Sequence, residues 1–536
     1  MRRIQLVPLA KNFCPLISFF LSFQIIFLMP KLWISASIGL AIAGPVQVQE
    51  KQVGKSSEFN GNQNPDPQIK LPKISAPSFD IDHAEKVIKP DLKKPEKKKL
   101  TLEAAINQAL EANRALRDVM DQVEGTRLSL VATESEFELK ILPAGDASIG
   151  GNSGENSISS LGAGISLEKK FGVGTNITVT PQTRKTDGLY STSVNTELIQ
   201  PLLRGFGEEY NLSGVRSAEF GTRSARRNLY LRRVSTVLLT VNAVYDVIRQ
   251  RELYRLNKES AQRLRANAEA AIAKKRIDMA NQIDVYRATI QQKQAEDNLN
   301  TAREAYNTAL DNLKILLSLP LDEEIEVEAP LKYNLVRLSH QLAVAAALKN
   351  RVELDQAEDN IREADRLSKV AKHNIWPDLN VVLNYSRFGT GDTFGNSTGF
   401  DQNSWNIGLE TSTDFARTAE HAAYDQSLLN VQSAQRNFNL LRDEVITEVN
   451  RNFGNLRAYE KSIANQEEQI RQAKGQLELS QVKFKWGMAN NFDLIDAETK
   501  LRGAQTSLLS AVINYIVGTD QLRASMGTLL ERPKKF

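Results

Sequence analysis

The feature that most constrains the fold of this chain is an internal duplication. The segment MANQIDVYRA at 279–288 returns as MANNFDLIDA at 488–497, and the earlier segment ALEANRAL returns in the same order as ALKNRVEL. Self-similarity at a fixed order indicates two copies of one structural unit. The copies fill roughly residues 101–330 and 335–530 of the 536-residue chain.

The hydrophobic period changes within each copy. Leu379, Val381, Leu383 and Tyr385 alternate with a second set of residues that is polar except at Val382, which is the period of a half-buried strand. Apolar residues then recur at spacings of three, four and seven from Leu231 and from Leu441 onward. Such spacing predicts amphipathic helices, and one of about 70 residues would reach roughly 100 Å. Each copy is predicted to run helix, strand pair, very long helix, turn and helix.

Four principal strands per chain are predicted, near residues 147–151, 193–198, 379–386 and 405–410. Strands in a membrane satisfy their backbone hydrogen bonds only when the sheet closes, and three chains would supply about 12 strands. A further hairpin candidate at 161–180 either enlarges such a barrel, folds outside it or replaces one of the four. A soluble sandwich that caps a coiled coil is the alternative architecture.

The first 100 residues are predicted to lie outside the duplicated unit. Residues 1–43 begin with basic residues, continue with apolar ones and end in small residues typical of a cleavage site. This pattern predicts an export signal peptide, and translation starts at either Met1 or Met29. An uncleaved inner-membrane anchor is the alternative, since the apolar run approaches the length of a membrane span. Residues 44–100 are rich in Pro and Lys and predict a disordered linker.

Composition argues against several classes of function. The net charge is only +4, which gives no case for nucleic-acid binding. The sole cysteine, Cys14, lies within the predicted signal peptide, so the mature chain is expected to have no Cys-based metal site. Its four histidines lack the spacing of a zinc-protease motif. We expect no enzyme activity, no bound metal and no cofactor.

Three features together resemble the outer-membrane efflux protein family of TolC-like channels. They are the doubled helix-strand-strand-helix unit, the segment QPLLRGFG at 200–207 and the turn GMANNFDLIDAET at 487–499, and the likeness covers about residues 100–530. The resemblance implies a mainly α chain with a membrane β-barrel. It further implies a trimer that forms a 12-stranded β-barrel on a long periplasmic α-helical barrel.

The function implied by the resemblance is an outer-membrane exit channel of a tripartite efflux or type I secretion system. Such a channel passively conducts substrates to the exterior from a periplasmic adaptor protein and an inner-membrane pump of the RND, ABC or MFS type. A structural coiled-coil envelope protein that does not conduct is the alternative. The exported substrate is left open.

Two carboxylates mark the second copy of the repeated turn. Asp493 and Asp496 share one helix face, whereas their counterparts Asp284 and Arg287 are able to neutralise each other. Acidic residues in the first turn of a helix are also favoured by the helix dipole alone. The resemblance places these positions in acidic rings at the periplasmic entrance, so we expect a cation-selective constriction formed by unpaired carboxylates.

Other site residues are implied by the same resemblance. Asp284 and Phe484 belong to the expected gate, although Phe484 and Ala489 stand where the family's best-known member has the Tyr and the Arg that close the entrance. A different closed-state contact is therefore expected. The adaptor-facing tips are expected at Met279, Ala280, Asn281, Gly487, Met488, Ala489 and Asn490. Plain turn chemistry of Gly and Asn also accounts for these tip residues.

Overall fold

A similar order of elements occurs twice along the chain, with two more strands in the first copy than in the second. The computed structural model describes residues 98–151, 158–486, 488–489, 491–533 and 536. The first copy consists of β1 (Lys98–Thr101), α1 (Leu102–Ala112), α2 (Arg114–Glu134), β2 (Lys140–Gly150), β3 (Ile158–Lys170), β4 (Asn176–Thr186), β5 (Leu189–Pro201), α3 (Ser213–Arg276) and α4 (Gln282–Leu317). The second consists of β6 (Ile325–Glu328), α5 (His340–Asn350), α6 (Val352–His373), β7 (Asn380–Gly391), β8 (Gln402–Glu410), α7 (Thr418–Lys485) and α8 (Asn491–Ser525).

The predicted signal peptide at 1–43 and most of the predicted linker at 44–100 lie outside the described residues. The end of that linker is different from the prediction, because Lys98 to Leu100 belong to β1. This strand pairs in parallel with β6, so that Leu100 lies opposite Val327. Both of these side chains are buried, and their burial explains why the folded unit begins before residue 101.

Asn and Thr side chains set the beginnings of the short helices. Thr101 caps α1, as its Oγ1 accepts a hydrogen bond of 3.2 Å from the Ala104 amide. Asn113 divides α1 from α2 and caps the latter by accepting from the Leu116 amide at 3.0 Å. The same Asn113 donates through Nδ2 to the Leu316 carbonyl at 2.9 Å, which ties this break to the end of α4.

Two very long helices dominate the molecule. Helix α3 has 64 residues and α7 has 68, so each is about 100 Å long. We call the antiparallel pair α3/α4 coil 1 and the antiparallel pair α7/α8 coil 2. Small buried residues line the contact faces of both coils, among them Ala271 with Ala288 in coil 1 and Ala473 with Ala497 in coil 2. No described helix has both the length and the apolar character needed to cross a membrane.

A broad apolar core surrounds the middle of both coils. In the first part of this core, Val241, Val244 and Ile248 of α3 pack with Leu313 of α4 and with α1, β1 and β6. In the second part, residues of α7 pack with α5 and with Tyr515 of α8. The long helices are amphipathic rather than apolar, so this burial supplies the packing that stabilises them.

The two copies are also joined by buried polar contacts between α3 and α6. Arg227 pairs with Asp359, and both side chains are largely buried. Arg366 donates to Glu363 at 2.6 Å and to Ser217 at 2.7 Å. The hydrogen bond from Arg366 holds the pKa of the Glu363 carboxyl below its ordinary value. The Arg227–Asp359 ion pair and the Arg366–Ser217 hydrogen bond fix α6 against the N-terminal part of α3.

All strands other than β1 and β6 form one antiparallel sheet. Its order is β2-β3-β4-β5-β7-β8, with β5 and β7 joining the two copies. The candidate hairpin at 161–180 provides β3 and β4, which lie between β2 and β5. The four predicted strands are all present, as parts of β2, β5, β7 and β8, and of the three alternatives for the hairpin the structure has the one in which it enlarges the sheet. The described sheet has six strands because the additional hairpin is inserted within it rather than replacing a strand.

The register gives this sheet two faces of opposite character. One face carries exposed apolar side chains from outer and inner strands alike, including Ile141, Leu161, Ile165, Trp405 and Ile407. The opposite face is mostly polar; it carries Asp146, Ser160, Thr178, Arg184, Asn195, Asn384 and Asn406. Successive side chains of a strand alternate between faces, so period-two patterning in every strand produces this division.

Arg417 holds the junction between the sheet and coil 2. This buried side chain donates through Nη1 to the carbonyls of Ile375 and Trp376, at 2.8 and 2.6 Å. Its backbone is left-handed, with φ of 51°, which is uncommon for a residue other than glycine. The Arg417 side chain therefore satisfies carbonyls that follow the end of α6.

We expect Arg417→Ala to destabilise the protein by about 2–3 kcal/mol, because it removes charged hydrogen bonds and leaves buried carbonyls unpaired. Thermal or denaturant unfolding of the purified protein measures the change. Arg442→Ala is the matched control, since Arg442 is half-exposed and pairs only with its neighbour Asp443 at 3.7 Å. Equal stability of the two variants would contradict this role for Arg417.

Candidate functional site

Both coils end in turns of similar construction. In coil 1 the Met279 amide donates to the Lys274 carbonyl at 2.9 Å, and Asp278 adopts a left-handed φ of 58°. In coil 2 the Met488 amide donates to the Lys483 carbonyl at 2.8 Å. These are the bonds that close a helix C-terminus, so the repeated MAN sequence encodes a repeated tight turn.

The predicted tip residues occupy these two turns. Met279, Ala280 and Asn281 join α3 to α4, and the Asn281 side chain caps α4 by accepting from the Asp284 amide at 2.8 Å. Met488 and Ala489 follow α7, whereas Gly487 and Asn490 lie outside the described residues. Large apolar side chains at both turns are exposed, namely Ile277, Met279, Trp486, Met488 and Phe492.

Lys274 of coil 1 contacts Phe484 of coil 2. The Lys274 Nζ lies 3.6 Å from the centroid of the Phe484 ring and donates to the Phe484 carbonyl at 2.9 Å. A cation over an aromatic face contributes about 0.5–2 kcal/mol, depending on its exposure. Phe484, predicted as a gate residue, is thus joined to the other coil through its ring and its carbonyl rather than through a hydroxyl.

A buried asparagine pair forms the second contact between the coils. Asn267 Nδ2 of α3 donates to Asn491 Oδ1 at 2.7 Å. Asn491 is almost fully buried and donates in turn to the Asp284 carbonyl at 3.3 Å. The first turns of α4 and α8, which carry Asp284 and Asp493, are therefore brought together by the side chain of one residue.

A buried ion pair forms the third contact. Arg263 Nε donates to Glu498 Oε2 at 2.9 Å, and the Glu498 side chain is only 6% exposed. Beside this pair, Ile495 of coil 2 packs against Ala261 and Leu264 of coil 1. A carboxylate buried to this degree is strongly destabilised if its cationic partner is removed. We refer to the Lys274–Phe484, Asn267–Asn491 and Arg263–Glu498 contacts together as the inter-coil contacts.

The expectation of two unpaired carboxylates is wrong, as the contacts of Asp496 make plain. Lys500, one helical turn further along α8, lies 2.8 Å from Asp496 Oδ2, and Gln476 donates to the same oxygen at 3.4 Å. An i,i+4 pair of this kind is common on exposed helix faces. In coil 1 the backbone of Asp284 takes part in two contacts: its amide donates to Asn281, and its carbonyl accepts from Asn491.

Four of the residues that join the coils were not identified from the sequence: Arg263, Asn267, Lys274 and Glu498. Arg263, Asn267 and Lys274 belong to no motif. Glu498 lies in the GMANNFDLIDAET segment, but nothing in that segment singled it out as a contact residue. The only available signal was a polar residue at a contact position of an otherwise Ala- or Leu-lined coil. Recognising that signal requires the relative position of two coils that are distant in sequence.

The comparisons with known proteins agree with this architecture. A model of the outer membrane efflux protein family matches residues 343–528. The second copy of the repeated unit therefore matches this family. Among its efflux-protein relatives, the outer membrane protein TolC of Vibrio cholerae is 28% identical over 198 residues, which is 34% of this chain and 41% of that protein. TolC of Salmonella enteritidis is 22% identical over 393 residues, covering 68% of this chain and 75% of that protein.

Solved outer-membrane channels share the fold of this chain. The open-state channel MtrE of Neisseria gonorrhoeae has a TM-score of 0.63 at 19% identity and covers 81% of this chain and 91% of its own. CmeC of Campylobacter jejuni has a TM-score of 0.64 at 15% identity, with 80% and 86% covered. The predicted fold class is thereby confirmed as a mainly α chain with a β-sheet of the kind found in outer-membrane channels. The predicted outer-membrane location agrees with the names of the relatives above. The predicted arrangement of three chains stays a prediction.

We expect Lys274→Ala to separate the ends of the two coils more often, because it removes both the ring contact and the carbonyl hydrogen bond. Loss of about 1 kcal/mol per chain corresponds to a roughly fivefold larger separated population. Spin labels on Ile277 and Trp486, both exposed, would measure the distance distribution between the tips.

Lys275→Ala is the matched control, since Lys275 has the same charge one position further along. Phe484→Tyr should behave like the unmodified protein, because it keeps the aromatic ring. Indistinguishable distributions for Lys274→Ala and Lys275→Ala would contradict the assigned contact.

Proposed function

We propose that this protein is a passive exit channel in the outer membrane that serves an efflux or type I secretion system. The observation that supports this most directly is the two-faced sheet, which lies beyond one end of two coils about 100 Å long. An apolar face suits contact with lipid, and a polar face suits a water-filled lumen. The coils would continue the same passage through the periplasm.

The proposal includes assembly of three identical chains. The sheet of one chain has two open edges, β2 and β8, and unpaired backbone groups are not tolerated in a bilayer. Repetition about a threefold axis pairs every such edge with a neighbouring chain and closes the barrel. A periplasmic adaptor and an inner-membrane pump would supply substrate and energy, because a passive pore supplies neither.

Opening is proposed to consist of moving coil 2 away from coil 1 at the tips. The three inter-coil contacts oppose that movement. All are polar or cation–π contacts, which water replaces more readily than it replaces an apolar interface. The exposed apolar side chains at the tips, including Met279 and Trp486, are suited to contact with an adaptor. The free energy of adaptor binding at the tips would then favour the state in which the coils are separated.

Charge selection at the entrance is proposed to depend on three residues rather than two. Asp493 and Asp496 lie in the first turns of α8, and Lys500 compensates Asp496. In a trimer these charges would be repeated around one constriction, where rings of like charge select ions of the opposite sign. We propose a preference for cations that Lys500 moderates.

Purified protein reconstituted in planar bilayers would test conduction. We expect discrete conductance steps from the assembled protein, small in the closed state and larger for Lys274→Ala. The variant prevents a shut gate from being mistaken for the lack of a pore. If neither protein conducts although both fractionate as trimers with the outer membrane, the protein is a structural coiled-coil envelope component instead.

Reversal potentials in a salt gradient would test charge selection. Asp493→Ala combined with Asp496→Ala should lower the ratio of cation to anion permeability, whereas Lys500→Ala should raise it by leaving the Asp496 charge uncompensated. Asp425→Ala removes an exposed carboxylate near the opposite end of α7 and serves as the control. Equal reversal potentials in all four proteins would overturn the assignment.

A further inference from the structure

We infer that the β3–β4 hairpin is a constitutive part of the pore wall, and that a second and third copy of this chain pair with its sheet to close a barrel of 18 strands. The inference rests on the proposed trimeric channel and concerns the width of its outer part. Six strands from each of three copies give this number, against the 12 expected from four strands per chain. The second repeat has only β7 and β8 in this sheet, so β3 and β4 are the additional pair.

The side chains of the hairpin are patterned for a wall with lipid on one side and water on the other. Leu161, Ile165, Ile177 and Val179 share the face of the sheet that is apolar in the flanking strands. The residues between them, Ser160, Ser166, Glu168, Thr178, Thr180, Gln182 and Arg184, share the polar face. A hairpin folded outside the membrane would have no need for an apolar face continuous with that of its neighbours.

An ion pair connects the hairpin to β2 on the polar face. Arg184 of β4 reaches across β3 and donates to both carboxylate oxygens of Asp146, at 2.8 and 2.9 Å. Arg184 also donates to Ser160 Oγ at 2.9 Å. Beneath this pair lies Gly162, where a Cβ atom would stand 2.4 Å from Asp146 Oδ1. Because Gly162 has no side chain, Asp146 and Arg184 can meet above β3, and their ion pair connects β2 to β4.

The turn of the hairpin, at residues 171–175, packs against the segment at 200–207 that leads into coil 1. The Gly207 amide donates to the Val173 carbonyl at 3.0 Å, and Thr175 bonds to Gln200. At Gly174, whose φ is 100°, a Cβ atom would lie 2.3 Å from the Gly205 carbonyl oxygen. The QPLLRGFG segment thus packs against this turn and hydrogen-bonds to it. These contacts fix the turn at the end of the sheet nearest the helices.

The geometry of the edges permits closure with a second copy. Neighbouring strands of the sheet are antiparallel throughout. The first strand, β2, and the sixth strand, β8, therefore run in opposite directions. The β8 strand of one copy would therefore meet β2 of the next in an antiparallel pair, as all other neighbours do. Most β2 and β8 side chains are exposed in the single chain, including Ile149 and Leu409 on the apolar face.

The added strands would widen the outer part of the pore. With strands about 4.8 Å apart and tilted about 40°, 12 strands give a backbone diameter of about 24 Å and 18 give about 36 Å. Side chains occupy about 5 Å at each wall, so the free lumen would grow from about 14 to about 26 Å. A lumen of the larger size accommodates bulky cargo such as a folded or partly folded polypeptide segment.

Deletion of residues 158–186 would test the inference, because removing two antiparallel strands leaves β2 and β5 antiparallel. We expect electron cryomicroscopy of the full-length trimer to show 18 strands and that of the deletion variant 12. Neutral polymers added from the outer side should enter the full-length lumen up to a diameter about twofold larger. A full-length conducting trimer with 12 strands and the hairpin outside would overturn the inference while leaving the proposed function intact.

A second pair of variants keeps the test decisive if the deletion fails to fold. Ile165 and Ser166 are adjacent near the middle of β3 but lie on opposite faces. Ile165→Arg should reduce the yield of outer-membrane trimer by tenfold or more, because a charge is costly on the lipid face, whereas Ser166→Arg should have little effect. Equal yields for the two variants would overturn the inference. Failure of the unmodified protein to form any trimer would instead contradict the proposed function.

Discussion

Packing between long helices is the constraint on which the rest of the molecule depends. Helices of 64 and 68 residues are polar over most of their surface, so they are not stable or straight as isolated elements. The small residues along their seams, such as Ala271 and Ala473, allow close approach of a partner helix. The broad core around Val244 and Tyr515 then holds both coils at their middle. The sheet and the tips are therefore two ends of a body whose centre is rigid.

The distribution of contact types along that body matches what each part has to do. Apolar burial is concentrated at the middle, whereas the ends of the coils are joined by Lys274, Asn267 and Arg263. Polar contacts can be exchanged for water at small net cost, while an apolar core cannot. The proposed movement at the tips would therefore leave the central core undisturbed, and it would not put the stability of the whole chain at risk.

The sequence predicted the architecture well because periodicity and duplication are local signals. Thr101 as a cap, the MAN turns and the strands around Val381 were all identified from short windows. The number of strands was underestimated, because strand assignment does not reveal which strands share a sheet. The charge state of Asp496 was missed although Lys500 was visible at i+4. The contacts between the coils depend on a long-range arrangement of two polar helix faces, which no local pattern encodes.

The position of the additional hairpin has a consequence for how such a protein changes over generations. A hairpin is the smallest unit that can be added to an antiparallel sheet without reversing the direction of any later strand. In the proposed trimer, threefold symmetry would apply one such insertion at three places at once, so the circumference would grow evenly and the helices below would keep their connections. The width of the pore would then be separable from its gating, since an inherited change in the sheet would alter what passes through the outer part while the entrance kept its own contacts.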